Sequence, residues 1–364
     1  MAGATTDQGV RSTVAVTGVG GGVGQAVLRA LRRSTLALRV VGFDMNGRGA
    51  GLYQADVGYK LPPCSDPTYV SRLVDVLVKE QISVLIPGSD PELSVLAGAR
   101  SGIEEAGAKV IIGSPEAVGI CRNKQRCSEF FRERGFPFVR TVPIADADRL
   151  AEAIGYPLIV KPIDGSASRG VAVVFDPRGL EPYISRSGYI VQEPAFPAAW
   201  HRKGGRVGTN NVYHGGVLRQ EDEISIQIVY DHTSEHLGTF TSVNKLQNGV
   251  PVFIDPQRIP EVQQVVEDMA DVLRERGLVG PCNVQARLTA EGPKVFEINP
   301  RFTGITGVRA AMGFNAVDAV LRRAAFNEPV DGVRESLVQP GDQLAIRYVD
   351  EIVVQRQRVE RMLQ

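Results

Sequence analysis

The sequence has no excess of either charge: Lys+Arg and Asp+Glu both number 41. Nucleic acid and anionic membranes usually recruit a basic excess, so neither is expected as the main partner. There is no apolar run near the ~20 residues that cross a bilayer. Met1 to Ser12 is small and polar, with no apolar stretch. It reads as a disordered leader rather than a secretory signal, and a cytoplasmic location is expected. Cysteine is scarce. The four, Cys64, Cys121, Cys127 and Cys282, form no C-x-x-C pair and have no histidine cluster nearby. That argues against zinc and against a disulfide framework, and for buried free thiols. Histidine is as scarce: His201, His214, His232 and His236. These read as surface residues, with a substrate contact as the alternative. No Ser-His-Asp or Cys-His arrangement offers a protein nucleophile.

What is present is an ordinary globular composition, 43% hydrophobic and 23% charged over 364 residues, enough for two or three domains. A β-branched run at 13–17, a glycine cluster and a helical pattern at 24–33 open the chain. Strands at 39–44, 83–87 and 109–112 alternate with helices at 67–80 and 92–106. That alternation predicts a parallel sheet with right-handed crossovers. Helices at 123–134 and 146–154 follow, the first ended by Gly135 and Phe136-Pro137. Strands at 158–161, 171–175, 189–193, 223–230, 237–243 and 251–254 then come with little helix between them, which predicts an antiparallel, α+β region. A helix at 260–276, strands at 282–288 and 294–298, a helix at 315–326 and a charged tail at 355–364 complete the pattern. Residues 197–220 stand apart, with five glycines, two asparagines and the sole Trp200. They read as a long loop or ragged hairpin, either functional or disordered.

The glycine cluster, Val16-Thr17-Gly18-Val19-Gly20-Gly21-Gly22-Val23-Gly24, lies between a strand and a helix. It fits the TGxxxGxG spacing of short-chain dehydrogenases, and Asp44 ends the next strand where a ribose-binding acid would lie. Glycines there let backbone amides approach a phosphate at a helix N-terminus. Dehydrogenase chemistry also needs a Tyr-x-x-x-Lys pair, and none of the nine tyrosines has one. The cluster is therefore open to three readings: a nicotinamide site, a tight turn with no ligand, or amides of Gly20 and Gly21 that meet a substrate carboxylate or phosphate.

A second set of site residues lies downstream. Val295-Phe296-Glu297-Ile298-Asn299-Pro300-Arg301 puts Glu297 and Asn299 two apart on a strand, hence on one face. Asn283-Val284-Gln285 has the same alternation on a neighbouring strand, with Gln285 facing likewise. One carboxylate and two amide oxygens suit a hard cation such as Mg²⁺. The flanking Val284, Val295, Phe296 and Ile298 indicate that the other face is buried. Upstream, the apolar strand Leu158-Ile159-Val160 ends in Lys161, before Asp164-Gly165-Ser166-Ala167-Ser168-Arg169-Gly170. A point-charge lysine beside a Gly/Ser loop can clamp a phosphate; it can also be a surface lysine in a hairpin. Glu193 stands at the mouth of another strand, and Glu223 begins a further one.

In this order the segments resemble the ATP-grasp superfamily. The resemblance is closest to the units of the carbamoyl-phosphate synthetase large subunit and the amino-acid ligases related to them. It runs from about Val14 to Phe326, and its most specific part is Asn283-Val284-Gln285 with Glu297-Ile298-Asn299-Pro300-Arg301. It implies a mixed α/β and α+β fold: a Rossmann-like domain over 13–120, a lid over 121–195 and an antiparallel-sheet domain over 196–330. Residues 197–220 would be an insert and 331–364 an extension. It also implies ATP and Mg²⁺, with Mn²⁺ as an alternative. Lys124 and Lys161 resemble the basic residues on the phosphates. Gly165, Ser166, Ser168 and Gly170 lie in the loop that resembles the flap. Glu193 and the backbone near Ala195 resemble the adenine hinge, and Glu223 the ribose acid. Gln285, Glu297 and Asn299 resemble the metal ligands, and Arg301 the residue that stabilises the transferring phosphoryl group.

There are departures. The insert separates Glu193 from Glu223, which are usually several residues apart, and the flap is poorer in glycine. One unit is present rather than a tandem, so carbamoyl-phosphate synthesis itself is not expected. The implied reaction phosphorylates a carboxylate and passes it to an amine, both small molecules. Lys245 and Arg309 are candidates to bind the carboxylate. The insert, with Trp200, His201, Arg202 and Lys203, is expected to shape the acceptor side. An NAD(P) oxidoreductase, an ATP-dependent phosphotransferase and an ATP-sensing module are the rival readings. The sequence does not name the substrates, and a homo-oligomer stays open.

Overall fold

A computed structural model describes residues 12–165, 168–201, 207–214 and 217–363. The first part is a parallel sheet of β1 (Ser12–Val16), β2 (Leu38–Asp44), β3 (Val57–Lys60), β4 (Val84–Ile86) and β5 (Lys109–Val110), in the order β3-β2-β1-β4-β5. The central β1 is covered on both faces, with Val14, Ala15 and Val16 fully buried. Between β1 and β4 the winding reverses, so loops after these strands open a crevice at their carboxyl ends. Helix α1 (Gly22–Leu31) starts against the turn after β1. A Cβ on Gly24 would lie 2.4 Å from the Gly18 carbonyl oxygen, and Gly18 itself has φ +57°. The other helices of this part are α2 (Ala50–Gln54), α3 (Tyr69–Lys79) and α4 (Glu92–Glu105).

Next come α5 (Pro115–Arg122), which the sequence reading did not place, and α6 (Lys124–Arg132), inside the helix it expected over 123–134. Asn123 separates the two: its extended backbone and side-chain oxygen cap α6 by accepting from the Arg126 amide. A small antiparallel sheet follows: β6 (Thr141–Pro143), β7 (Leu158–Pro162), β8 (Ala172–Val174) and β9 (Tyr189–Gln192), in the order β6-β9-β7-β8.

The largest sheet is antiparallel. It contains β10 (Tyr213–His214), β11 (Val217–Tyr230), β12 (His236–Gln247), β13 (Val250–Pro256), β14 (Pro281–Thr289), β15 (Gly292–Asn299) and β16 (Ala345–Ile346). Period two divides β11 cleanly. Ile224, Ile226 and Ile228 pack with Val262, Val266 and Met269 of the helix Pro260–Arg274. Glu223, Ser225 and Gln227 take the other face, also buried. The strand starts at Val217 rather than at 223, with a register shift between Gln220 and Glu223. Within the insert, the described residues form Ala198–His201, Thr209–Val212 and a β10–β11 hairpin. Arg202, Lys203 and the expected leader up to residue 11 lie outside the described residues.

The C-terminal helix Ala316–Ala324 packs with α1 and β1 in one core, which also takes in Phe302 and Phe314. The charged tail is a helix, Arg356–Leu363, set beside β3: Lys60 Nζ donates to the Leu363 carbonyl at 3.2 Å. Strand β3 escaped the sequence reading because an edge strand of mixed burial shows no clean alternation. No helix among the described residues is long and apolar enough to cross a membrane. Cys121, Cys127 and Cys282 are buried free thiols, and Cys64 is a half-buried one.

Candidate active site

The β14–β15 hairpin forms one wall. Its register sets Asn283 opposite Asn299 and Gln285 opposite Glu297, so four polar side chains share a face. A bulge follows at once: Ala286 pairs with Val295, leaving Phe296 as the extra residue. Val284, Val295 and Ile298 face the core. Phe296 packs against that core only in part, because the bulge also brings it to the cavity beside Glu297, where the sequence reading had it wholly on the buried face. Gln285 Nε2 donates to Glu223 Oε1 at 3.1 Å, and Asn299 Nδ2 reaches Glu297 Oε1 at 3.4 Å. Burial and the neighbouring Glu297 carboxylate push Glu223 up to about 7.

Two connected cavities meet at this wall. The first is lined by Lys124, Lys161, Gly165, Ser168, Glu193, Ala195 and Glu297 among others. The second runs from Glu223, Gln285, Glu297, Asn299 and Arg301 to Gly20 and Gly21 of the first sheet. Ser168, Arg169, Gln220, Phe296 and Glu297 line both. Lys161 is buried at the end of β7 and has no hydrogen-bond or ion-pair partner among the described residues. Burial lowers its pKa to about 8, against the pull of Glu297. Lys124 Nζ donates to the Gly165 carbonyl at 2.7 Å, tying α6 to the start of the flap.

Arg301 is locked in place. Its Nε and Nη2 donate to both oxygens of Asp90 at 2.9 and 2.8 Å, a bidentate pair, and Nη2 also reaches Asn299 Oδ1 at 3.3 Å. Burial alone would raise the Asp90 carboxyl; Arg301 and Arg122 hold it below its ordinary value. Asp90 escaped sequence reasoning because it is joined to Arg301 only by tertiary structure. The usable signal was its place after β4, at a strand's carboxyl end. Arg287 was also missed, although it sits two residues past Gln285 on the same strand. It donates to the carbonyls of Ala195 at 3.2 Å and Glu221 at 3.3 Å, and lies over Phe296.

The remaining sequence candidates divide. Glu193 accepts from the Arg140 amide at 3.0 Å and from Lys294 Nζ at 2.9 Å. Its carboxylate therefore orders the β9 end, and the neighbouring backbone is left to meet a ligand. Gly170 has φ +73° but lines neither cavity. Ser166 lies outside the described residues. Lys245 is a correction: it is exposed over Phe253, because alternation along β12 sends Asn244 and Leu246 to the cavity and Lys245 to the opposite face. Arg309 is a second. It is 1% exposed and lies behind the wall, donating to Gln227, Ser225, Asn283 and Thr303. In the insert, Trp200 stacks on Phe196 at 5.5 Å, and both line the Lys161 cavity.

The donor set fits a divalent cation. The buried carboxylate of Glu223 is pushed up by burial and by the neighbouring Glu297 carboxylate, and both stand beside amide oxygens, an arrangement that added positive charge relieves. The glycine turn fits a dinucleotide poorly. Asp44 Oδ2 accepts from the Gly20 amide at 2.6 Å, so that amide is already engaged by a carboxylate.

Residues 219–352 match the family described as ATP-grasp in the biosynthetic pathway with Ter operon, and residues 14–111 match the PylC-like N-terminal domain. The chain carries an ATP-grasp domain. Carbamoyl phosphate synthase large chains match over about half of this chain. That of Mycobacterium sp. strain JLS is 27% identical over 214 residues, 56% of this chain and 18% of the relative. That of Mycobacterium tuberculosis strain H37Rv is 25% identical over the same shares. The chain thus spans under a fifth of the length of these curated relatives. Among solved structures, N5-carboxyaminoimidazole synthetase from Staphylococcus aureus, complexed with ADP, superposes with TM-score 0.64 at 14% identity, covering 92% of this chain and 80% of that one. The L-amino acid ligase from Bacillus licheniformis gives 0.60 at 18%, covering 86% and 74%. The fold is therefore that of ATP-grasp enzymes over most of the chain, with the parallel sheet first and the antiparallel sheets after it.

Proposed function

We propose that this ATP-grasp chain is an ADP-forming ligase that activates a small carboxylate as an acyl phosphate and couples it to an amine, with an amino-acid-like substrate. One observation carries the reading. Lys124 and Lys161, the Gln285/Glu297/Asn299 face and the Asp90-locked Arg301 come from separate parts of the chain and line connected cavities. The substrate carboxylate oxygen attacks the γ-phosphorus of ATP, the bond to the ADP oxygen breaks, and the amine nitrogen then attacks the acyl carbon, releasing phosphate and a proton. Lys161 and Arg301 spread the charge that develops on the phosphoryl oxygens; Arg301 needs no reorientation, because Asp90 already fixes its fork. Phe196, Trp200 and Val212 supply an apolar face suited to an adenine ring. Gln285, Glu297 and Asn299 would hold Mg²⁺, or Mn²⁺, which when bound neutralises phosphate charge. In this reading the enzyme acts in the cytoplasm on small molecules, and its lid is built from residues between 121 and 195.

The test is ADP release across a panel of carboxylate–amine pairs, with hydroxylamine as a trap. A hydroxamate in place of the amide marks the acyl phosphate. A stable phosphorylated product would instead mean a phosphotransferase, and nucleotide binding without turnover a sensing module.

A further inference from the structure

The end of the second cavity formed by the first sheet is acidic. It lies at the reversal point of the parallel sheet, where the loops after β1, β2 and β4 meet. Asp44 is buried at the end of β2, with its oxygens on the Gly20 amide at 2.6 Å and the Asn46 amide at 2.8 Å. Glu92, in the first turn of α4, accepts from Thr17 Oγ1 at 2.6 Å. Every one of these donors is neutral. Neither carboxylate has an ion-pair partner among the described residues, and each lies in the other's field. Burial, reinforced by Asp44, pushes Glu92 up to about 7.

Two further side chains lack partners where they face this cavity. Asn244 is fully buried on β12, and neither its Oδ1 nor its Nδ2 has a hydrogen-bond partner, yet it lines the cavity from the antiparallel sheet. Tyr69 is 1% exposed and lines the acidic end; the Glu92 carboxylate is near, but no partner meets its Oη with hydrogen-bond geometry. A buried polar group without a partner costs about 1–3 kcal/mol, which a ligand that satisfies it returns. No third His, Cys, Asp or Glu joins Asp44 and Glu92 in a group that could hold a metal ion among the described residues, so an organic cation fits this pair better than a metal.

We propose that the Asp44/Glu92 end is a subsite for a primary ammonium group, so that the substrate, on the ligase reading above, carries a charged amine besides its reacting group. A diamino acid is the simplest such compound. The amine held here is recognised rather than coupled. An ammonium has no lone pair to attack an acyl carbon, and two carboxylates keep it protonated. Asn244, with one donor and one acceptor free, is placed to hold a second polar group of the same molecule.

The experiment is calorimetric titration of the full chain, with a non-hydrolysable ATP analogue present, using L-lysine and L-ornithine against norleucine and norvaline, which lack the second amine. The cationic compound of at least one pair is expected to bind roughly 10- to 100-fold tighter, the worth of one charge-assisted contact. Glu92→Gln and Asp44→Asn should each erase most of that preference while leaving affinity for the ATP analogue unchanged, which also reports that the variants fold. A wild-type protein that prefers no cationic amine overturns the subsite, whatever the variants do. So does binding of Mg²⁺ or Ca²⁺ that Asp44→Asn removes in the absence of any amine preference. ADP release, measured alongside, separates the two readings. Amine preference without turnover under any pair sinks the ligase and leaves the subsite. Turnover indifferent to Glu92→Gln and Asp44→Asn, with charged and neutral amines used alike, sinks the subsite and leaves the ligase.

Discussion

The two ends of the cleft are built on opposite principles. At the lid end, lysines stand at strand and helix termini with acids nearby but not bonded to them: Lys161 has no ion-pair partner among the described residues, and Lys124 bonds a carbonyl. At the first-sheet end, Asp44 and Glu92 stand with neutral donors and no ion-paired cation among the described residues. Between them the Asp90–Arg301 pair is complete. A completed pair is a structural joint. An incomplete one is a place where folding leaves a charge under-compensated, and such places mark where a ligand of opposite sign is wanted. The two proposals accordingly put polyphosphate at one end of the cleft and an amine at the other.

The largest effect should come at the wall the two ends share. Glu297→Ala and Asn299→Ala are each expected to lower metal-dependent ADP release by roughly 10²-fold or more, with the protein folded. Turnover near wild type across a Mg²⁺ series would remove both residues from the metal assignment. Lys161→Ala should weaken ATP binding by about 1.5–3 kcal/mol, read by calorimetry. Lys161 also titrates, with its folded pKa lowered to about 8 by burial. Between there and its ordinary value the unfolded chain binds more protons, so this residue makes stability rise with pH over that window. Lys161→Met should flatten that rise in thermal melts and raise stability near neutral pH.

The acidic end should show the opposite slope. Glu92 holds its proton up to about 7 when folded, while the unfolded chain releases it near the ordinary glutamate value. Its contribution to stability therefore falls as pH rises from about 4.5 to 7 and is level above that. Glu92→Gln should remove this fall; melts of equal slope in both proteins would mean that the carboxylate is compensated after all. The smallest effect is expected from Lys245→Ala. Its side chain is exposed on the far face of β12, so ADP release and substrate affinity should stay within about twofold, since surface changes cost within ±0.5 kcal/mol. A clear loss would place an unrecognised contact on that face.

Much of this was legible because it is local. The alternation of 283, 285, 297 and 299 put four polar side chains on one face before any fold was known, since strand geometry has a period of two. The glycines at 18 and 24 announced a strand–helix turn, because only a missing Cβ lets those backbones touch. Where alternation was broken, the reading broke too. The bulge brought Phe296 to the cavity edge, helix α5 was passed over, and Lys245 was credited by type without regard to the face its strand gives it.

The sequence by itself determined the order of parallel and antiparallel sheets, the polar face of the hairpin and the lysine at the end of β7, all set by neighbours a few residues apart. Only the tertiary structure decided that Asp90 holds Arg301 across 211 residues, that Arg309 is walled off behind Ser225 and Asn283, and that Asp44 and Glu92 meet in one cavity. Those are facts about which chain segments pack together. The physical reason is that burial and partnership give a charged side chain its role, and neither is a property of the residue or of its neighbours in sequence.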